Sequence, residues 1–217
     1  MTSMLKTLLW DVDTQLDFME PSGKLPVPGA ASIRPAISLL TNLLPDTCIM
    51  SGSVDAHTPR DPEFRVWPEH CVYGTPGQRK IPESTRGTSL FIPSTKLKAN
   101  QMSEAIASGG QILFEKQHNA VDSNPNTRAF IEAANPDQIV VYGVASDVCV
   151  DLAVRYLAET MGYEVIVASD AVKGIDLSRI NGCMAEWRSL GVNIRKTEEI
   201  IAELRRKDET NLDQGSA

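Results

Sequence analysis

The sequence lacks the features that mark membrane, secreted and nucleotide-phosphate-binding proteins. In its 217 residues no apolar run approaches the length of about 18 residues that a membrane-spanning helix needs. The opening residues, Met-Thr-Ser-Met-Leu-Lys, do not form the charged and apolar regions of a signal peptide. Neither a Gly-x-Gly-x-x-Gly loop nor a Walker loop occurs. We therefore expect a cytoplasmic protein with no membrane partner.

Basic residues and cysteines are also few. Lysine and arginine total 21 against 28 acidic residues, and the net charge of -7 argues against nucleic acid as a partner. The four cysteines, at positions 48, 71, 149 and 183, form no Cys-x-x-Cys pair, which favours reduced thiols over a disulfide framework or a zinc ribbon. A small molecule is the expected partner, and the sequence is compatible with a homo-oligomer.

Apolar segments with strand character alternate with helical patterns along the chain. The predicted strands cover residues 5–12, 48–53, 111–116, 139–142, 163–168 and 192–194. This alternation predicts βαβ units, and hence a Rossmann-like, three-layer α/β/α fold with a mostly parallel six-stranded sheet. We expect one domain over residues 1–217, with an irregular loop insertion at about 54–93 and a frayed polar tail at about 207–217.

The stretch Gln138 to Val150 carries the most chemical information. A buried strand runs into Gly143, and Asp147 is a good N-cap for the helix that follows. Cys149 then lies in the first helical turn, where the helix dipole should lower the pKa of its thiol and favour thiolate. The competing interpretation is that Cys149 is a small buried core residue, as most free cysteines are.

Reactive side chains follow the ends of several predicted strands. Asp13, Asp55, Lys116 and Cys149 all fall at or just after such an end, and in parallel sheets ligands bind outside the carboxyl ends of the strands. Asp13 could accept the thiol proton, while the Lys116 ammonium would favour the charged forms of both neighbours. Taken singly, Lys116 could be a solvated lysine and Asp13 a backbone cap.

The insertion contains a second group of candidate ligands. Asp55-Ala-His57 and Trp67-Pro-Glu-His70 place a carboxylate and two imidazoles close in sequence, a donor set that suits one divalent ion: zinc first, with manganese or iron as alternatives. Glu63 is the candidate fourth ligand, directly or through water, with Asp61 as the fallback. The alternative is that both histidines are loop residues bonded to backbone groups.

Two aromatic residues could line a slot for a flat substrate. Phe18 and Trp67 are the candidates, although either could simply be a core residue. We interpret Cys71 as a packing residue, because adjacent residues seldom both face one metal, and His118 as a surface residue.

Together these segments resemble the isochorismatase-like cysteine hydrolases and, within them, the nicotinamidases. The resemblance rests on Asp13-Thr-Gln-Leu-Asp-Phe18, Asp55-Ala-His57, Trp67-Pro-Glu-His70-Cys71, Lys116, and Gly143-Val-Ala-Ser-Asp-Val-Cys149-Val150, in the family's order. The patterns around His70 and Cys149 are the specific ones.

The resemblance implies a role for each matching residue. Cys149 would be the nucleophile, Asp13 the proton carrier and Lys116 the third member of a triad. A cis peptide between Val144 and Ala145 would turn the N–H groups of Ala145 and Cys149 toward one oxyanion. The metal ligands would be Asp55, His57 and His70, with Glu63 where family members vary.

The implied reaction is the hydrolysis of nicotinamide to nicotinate and ammonia through a thioester. Other small amides, such as pyrazinamide, ureido or carbamoyl compounds, and a non-catalytic binding role are the alternatives. Two departures from the family pattern bear on these. Asp11 is a rival for Asp13, although only Asp13 keeps the spacing to Phe18. After Lys116, the sequence Gln-His-Asn-Ala lacks the aromatic residue expected in that pocket wall.

Overall fold

The computed structural model describes residues 6–45, 47–107 and 109–215, with side chains as far as Lys207. Its strands are β1 (Thr7–Val12), β2 (Ile49–Asp55), β3 (Ser89–Ile92), β4 (Gln111–Lys116), β5 (Gln138–Val144), β6 (Glu164–Lys173) and β7 (Asn193–Arg195). Its α-helices are α1 (Leu16–Met19), α2 (Arg34–Leu43), α3 (Ala99–Ala107), α4 (Thr127–Ala134), α5 (Cys149–Arg155), α6 (Leu177–Ser189) and α7 (Thr197–Gly215).

The strands form one sheet in the order β3-β4-β2-β1-β5-β6-β7, and all paired neighbours are parallel. The expected six-stranded count is therefore wrong by one strand. The additional strand, β3, lies inside the segment that we expected to be irregular. Its four residues carry no alternating burial pattern, and two of them are exposed at the edge of the sheet, so the sequence gives little strand signal there.

Helices cover both faces of the sheet and give the expected three layers. Along β1, Leu8, Trp10 and Val12 pack into one apolar cluster, with the apolar sides of α3 to α6, while Leu9 joins the other cluster. That second cluster contains Ile37 of α2 and the apolar side of α7. The alternation along β1 is what a strand buried on both faces requires.

Several element ends differ from the expected ones. Helix α7 continues to Gly215, so residues 207–215 extend a helix instead of forming the expected frayed tail. Helix α5 is followed directly by a π-helical turn at Tyr156–Thr160. The expected strand start at residue 5 and the last two residues of the expected tail, 216–217, lie outside the described residues. In the described part of the chain, every helix is too short or too polar to cross a bilayer.

The strand order places a crevice at the centre of the sheet. From β1 the chain continues outward to β2 on one side, and it returns later to place β5 on the other side of β1. Such a switch point opens a cleft at the carboxyl ends of the two central strands. Gly143 has φ of +120°, and a Cβ there would lie 2.0 Å from the carbonyl oxygen of Val12, so only glycine permits this approach of β5 to β1.

Candidate active site

Four neighbouring strands bring the expected reactive residues to this crevice. Lys116 ends β4, Asp55 ends β2, Asp13 follows β1 and Cys149 begins the helix after β5. These strands are adjacent in the order β4-β2-β1-β5, and Asp55 and Lys116 are direct register partners. All four side chains are buried. The fold therefore brings together residues that are up to 136 positions apart.

Asp13 and Lys116 are in direct contact, and both act electrostatically on Cys149. The Nζ atom of Lys116 lies 2.9 Å from Oδ2 of Asp13. The other carboxylate oxygen of Asp13 accepts a 2.8 Å hydrogen bond from the Ser53 hydroxyl. Asp13 is thus held by a lysine and a serine, and its charge acts on the Cys149 thiol.

The electrostatics favour a neutral thiol beside a basic carboxylate. Burial raises the pKa of Asp13, against the lowering effect of Lys116. Burial also raises the pKa of the Cys149 thiol well above its usual range, and the carboxylates of Asp13 and Asp55 raise it further, against Lys116. The expectation of a lowered thiol pKa is therefore wrong, because desolvation outweighs the positive end of a short helix.

Lys116 connects this group to the second one. Its ammonium contacts Oδ1 of Asp55 as well as Asp13. Burial would lower the pKa of Lys116, but Asp13, Asp55 and Cys149 raise it well above the usual range, so the side chain stays charged. One buried cation thus pairs with two carboxylates, one from each group.

The backbone between β5 and α5 contains the cis peptide that the resemblance implies. The peptide bond between Val144 and Ala145 is cis. The N–H groups on either side of Cys149, those of Val148 and Val150, both donate to the carbonyl of Ala145.

Asp147 has a different position from the expected one. It does not cap α5, whose N-cap position is held by Val148. The Asp147 carboxylate instead accepts from the N–H groups of Ile175 and Asp176, at 2.9 Å each. This contact fixes the segment after β6 against the crevice, and Ile175 thereby becomes part of the pocket wall.

Asp55, His57 and His70 form a compact cluster of possible metal ligands. One ligand atom from each lies within 4.8 Å of those from the other two, and all three residues are buried. The Nε2 atoms of His57 and His70 lie 3.7 and 3.5 Å from Oδ2 of Asp55. Oδ1 of Asp55 faces Lys116, so each oxygen of this carboxylate serves a different group.

The surroundings of the two imidazoles leave their Nε2 atoms for a metal. His70 Nδ1 lies 2.7 Å from the carbonyl oxygen of Pro68, and His57 Nδ1 lies 3.2 Å from Oδ2 of Asp61. Outer contacts of this kind orient metal-binding histidines. Both ring nitrogens of His57 are buried without a hydrogen-bond partner, and a divalent ion would satisfy the Nε2 atom that faces Asp55. The donor set therefore fits the expected metal.

Glu63 and Asp61 lie outside this cluster of three. Glu63 lines the pocket, and burial together with Asp55 raises the pKa of its carboxyl group. Asp61, the fallback ligand, accepts from the Glu63 N–H and faces the outer nitrogen of His57. Asp61 therefore contacts the nitrogen of His57 that faces away from the metal-ligand cluster, and it is not itself one of the clustered ligands. Glu63 stays a prediction as the fourth ligand.

A pocket opens over both groups. Phe18 and Trp67, the expected aromatic residues, both line it, and Phe18 packs on His70 with ring centroids 5.2 Å apart. The sequence interpretation missed Asn119, which lies in the wall beside Cys149. The absence of the expected aromatic residue after Lys116 indicated that this part of the pocket wall differs, but it did not identify Asn119.

The sequence interpretation also missed the part played by Gln15. Its side chain accepts from the N–H of Asp55 at 2.7 Å and donates to the carbonyl of Asp55 at 2.8 Å. Gln15 therefore fixes the backbone that presents this carboxylate. Its place in the Asp13-to-Phe18 motif was visible, but a motif position does not reveal which backbone a side chain contacts.

Asp11 does not reach the crevice groups. Its carboxylate lies 2.9 Å from Nζ of Lys80 and accepts a hydrogen bond from the Thr14 hydroxyl at 3.0 Å. Both members of the Asp11–Lys80 pair are buried. The pair attaches the segment around Lys80 to the sheet, so Asp11 has a contact of its own.

Comparisons with known proteins agree with this architecture. The family model described as Isochorismatase domain matches residues 7–199. A nicotinamidase/pyrazinamidase from Mycobacterium tuberculosis is 27% identical over 195 residues, which cover 84% of this chain and 95% of that protein.

Solved structures give the same fold. A pyrazinamidase/nicotinamidase from Streptococcus mutans superposes with a TM-score of 0.71 at 21% identity, covering 88% of this chain and 99% of that one. The pyrazinamidase of Pyrococcus horikoshii in complex with zinc gives 0.68 at 25% identity, covering 88% and 98%. Since the family model spans nearly all of the described chain, from β1 into α7, this chain belongs to the isochorismatase family of hydrolases.

Proposed function

We propose that this protein is a metal-containing cysteine amidohydrolase that converts nicotinamide to nicotinate and ammonia. The observation that carries the proposal is the buried contact of Asp13 and Lys116 beside Cys149, joined through Asp55 to a cluster of three metal-type ligands. A nucleophile, a base and a fixed cation at the floor of one pocket suit acyl transfer.

The reaction begins with a proton transfer inside this group. Asp13, whose pKa is raised, takes the proton of the Cys149 thiol as the sulfur attacks the carboxamide carbon. The tetrahedral intermediate then loses its C–N bond, and Asp13 returns the proton to the departing nitrogen, which leaves as ammonia. Water, deprotonated by Asp13, attacks the thioester, and the C–S bond breaks to give the carboxylate and the free thiol.

Backbone and lysine groups stabilise the charges that develop. We assign the N–H groups of Ala145 and Cys149 to the oxyanion, following the resemblance to the family. Lys116 stays protonated throughout, since its pKa is raised well above the usual range. It therefore offsets the negative charge that passes between the sulfur and Asp13.

Asp55, His57 and His70 would hold one divalent ion, with Glu63 completing its ligands directly or through water. Zinc fits this mixed nitrogen and oxygen set, and manganese and iron are alternatives. The bound ion would supply a ligand position for the ring nitrogen of the substrate. Phe18 and Trp67 would flank the ring, which orients the carboxamide toward Cys149.

One observation favours a different amide as substrate. The wall beside Cys149 carries the polar side chain of Asn119 where the resemblance leads us to expect an aromatic ring. A ureido or carbamoyl compound could use this polar group better than a pyridine ring could. The reaction class is the same in both cases.

Ammonia release from a panel of amides tests the proposal. The panel contains nicotinamide, pyrazinamide and ureido compounds, and the metal content is measured on the same sample. We expect nicotinamide to give the highest kcat/KM, and Cys149→Ala to retain less than a few per cent of kcat while keeping the wild-type circular dichroism. A folded Cys149→Ala variant with substantial activity would refute the nucleophile assignment.

A further inference from the structure

Asn119 places a carboxamide beside the nucleophile. The residue lies in the loop after β4, three positions beyond Lys116, and its side chain is half-buried in the pocket wall. Its Oδ1 atom lies 3.9 Å from Sγ of Cys149, where it accepts from the thiol. Once the thiol proton has moved to Asp13, this oxygen is available to another donor.

The apolar residues that line the pocket provide no hydrogen-bond acceptor for a substrate N–H group. Val144, Val148 and Ile175 line the same pocket with apolar side chains. Asp55 and His70 belong to the metal-ligand cluster, and Glu63 is the candidate fourth ligand. Asp13 is the proposed proton donor to the leaving nitrogen, so it faces the nitrogen lone pair. An N–H bond that points away from Asp13 would lose its water without replacement unless Asn119 accepts it.

We propose that Asn119 determines specificity for primary amides, with its Oδ1 accepting a hydrogen bond from the NH₂ group that leaves as ammonia. This inference rests on the proposed amidohydrolase function and identifies the substrate class within it. The nitrogen becomes a better donor as Asp13 protonates it, so the contact is stronger in the transition state than in the bound substrate. Such a contact raises kcat as well as kcat/KM.

The matched substrates are nicotinamide and methyl nicotinate, which share the acyl group and differ in the leaving group. Asn119→Leu keeps the approximate size of the side chain and removes the acceptor. We expect kcat/KM for nicotinamide to fall about 10- to 100-fold, the effect of leaving one buried donor unpaired. The value for methyl nicotinate should stay within about twofold, because the ester has no N–H group to satisfy.

Two controls separate recognition from a merely structural role. Ile175→Ala changes the same wall at a side chain that is 43% exposed, and it should lower the two rates in the same proportion. Alkylation of Cys149 by iodoacetate reports on the thiol alone, and Asn119→Leu should leave its rate within about twofold of wild type. If Asn119 only orients the thiol, amide and ester hydrolysis fall together, and the inference is wrong.

The outcomes also separate this inference from the choice of nicotinamide. If the wild type prefers another primary amide, the nicotinamide assignment fails, and the comparison is repeated with that amide and its methyl ester. An unchanged amide-to-ester ratio in Asn119→Leu would then overturn the inference alone. A wild type that hydrolyses no amide in the panel would overturn both.

Discussion

Asn substitutions at Asp11 and Asp13 should have opposite consequences, although the two residues are separated by a single position. Each carboxylate is fully buried and each lies 2.9 Å from a lysine ammonium. The difference lies in what each lysine retains after the substitution. Lys116 keeps a second carboxylate, that of Asp55, whereas Lys80 loses the carboxylate of Asp11, with which it forms its buried ion pair.

The effect on stability follows from this difference. Asp11→Asn leaves a buried ammonium, only 5% exposed, facing a neutral amide. Removing one partner of a buried pair lowers the free energy of unfolding by roughly 3–5 kcal/mol. In a chain of this size each kcal/mol lowers Tm by about 2–4 °C, so we expect a fall of about 6–20 °C. Asp13→Asn should lower Tm by only a few degrees.

The effect on activity is the reverse. Asp13→Asn removes the proposed base, and loss of a positioned base typically lowers kcat by about 10²- to 10⁴-fold. Asp11→Asn should leave kcat within a few-fold of wild type at 15 °C, where the variant is still folded. The assays are thermal unfolding by circular dichroism and steady-state ammonia release.

A double variant provides the control. Asp11→Asn with Lys80→Met removes both charges, and replacing a whole buried ion pair is often neutral, so most of the lost Tm should return. Two results would refute the reasoning. A large loss of kcat in Asp11→Asn, with activity retained in Asp13→Asn, would make Asp11 the base. An unchanged Tm in Asp11→Asn would mean that Lys80 is not held in a buried pair.

Three further predictions concern the thiol and the metal cluster. The pKa of Cys149 is raised well above its usual range, so its alkylation by iodoacetate at pH 7 should be slower than that of a free thiol. The alkylation rate should rise only at more alkaline pH. A rate that is already maximal at pH 7 would contradict this prediction. Chelation, or His57→Ala, should mainly raise KM for nicotinamide if the ion positions the ring, whereas an unchanged KM with kcat lowered by orders of magnitude would indicate a metal needed in the chemical step. Asp61→Asn should weaken metal affinity about 10- to 100-fold, measured by competition with a chromophoric chelator, and an unchanged affinity would show that its contact with His57 does not orient the ligand.

The sequence predicted those parts of the fold whose pattern is local. Strands β1, β4 and β5 each contain an apolar run of three or more residues in a sheet that is covered on both sides, and the residues at their ends were expected to meet at one edge. The short edge strand β3 was missed because it is a strand only through its pairing with β4. The four residues of β3, taken alone, carry no strand pattern.

The thiol pKa could not be predicted from local sequence either. The position of Cys149 in the first turn of α5 suggested a lowered value, and that argument depends only on the helix. The raised pKa follows from how deeply the crevice buries the sulfur and from the charges of Asp13 and Asp55, which come from other strands. A local electrostatic rule therefore gave the wrong sign once the tertiary environment was added.

The choice between Asp11 and Asp13 shows why one assignment needed the family spacing as well as the strand pattern. In a strand, side chains at i and i+2 point to the same face, so a regular β1 would send both carboxylates to one side and would not distinguish them. The chain leaves this pattern after Val12: Asp13 has φ of +49°, in the left-handed region, and its side chain turns into the crevice toward Lys116. Asp11 stays within the strand and meets Lys80. A single residue with left-handed backbone thus separates a buried structural ion pair from the proposed catalytic base, and strand periodicity gives no sign of where that residue falls.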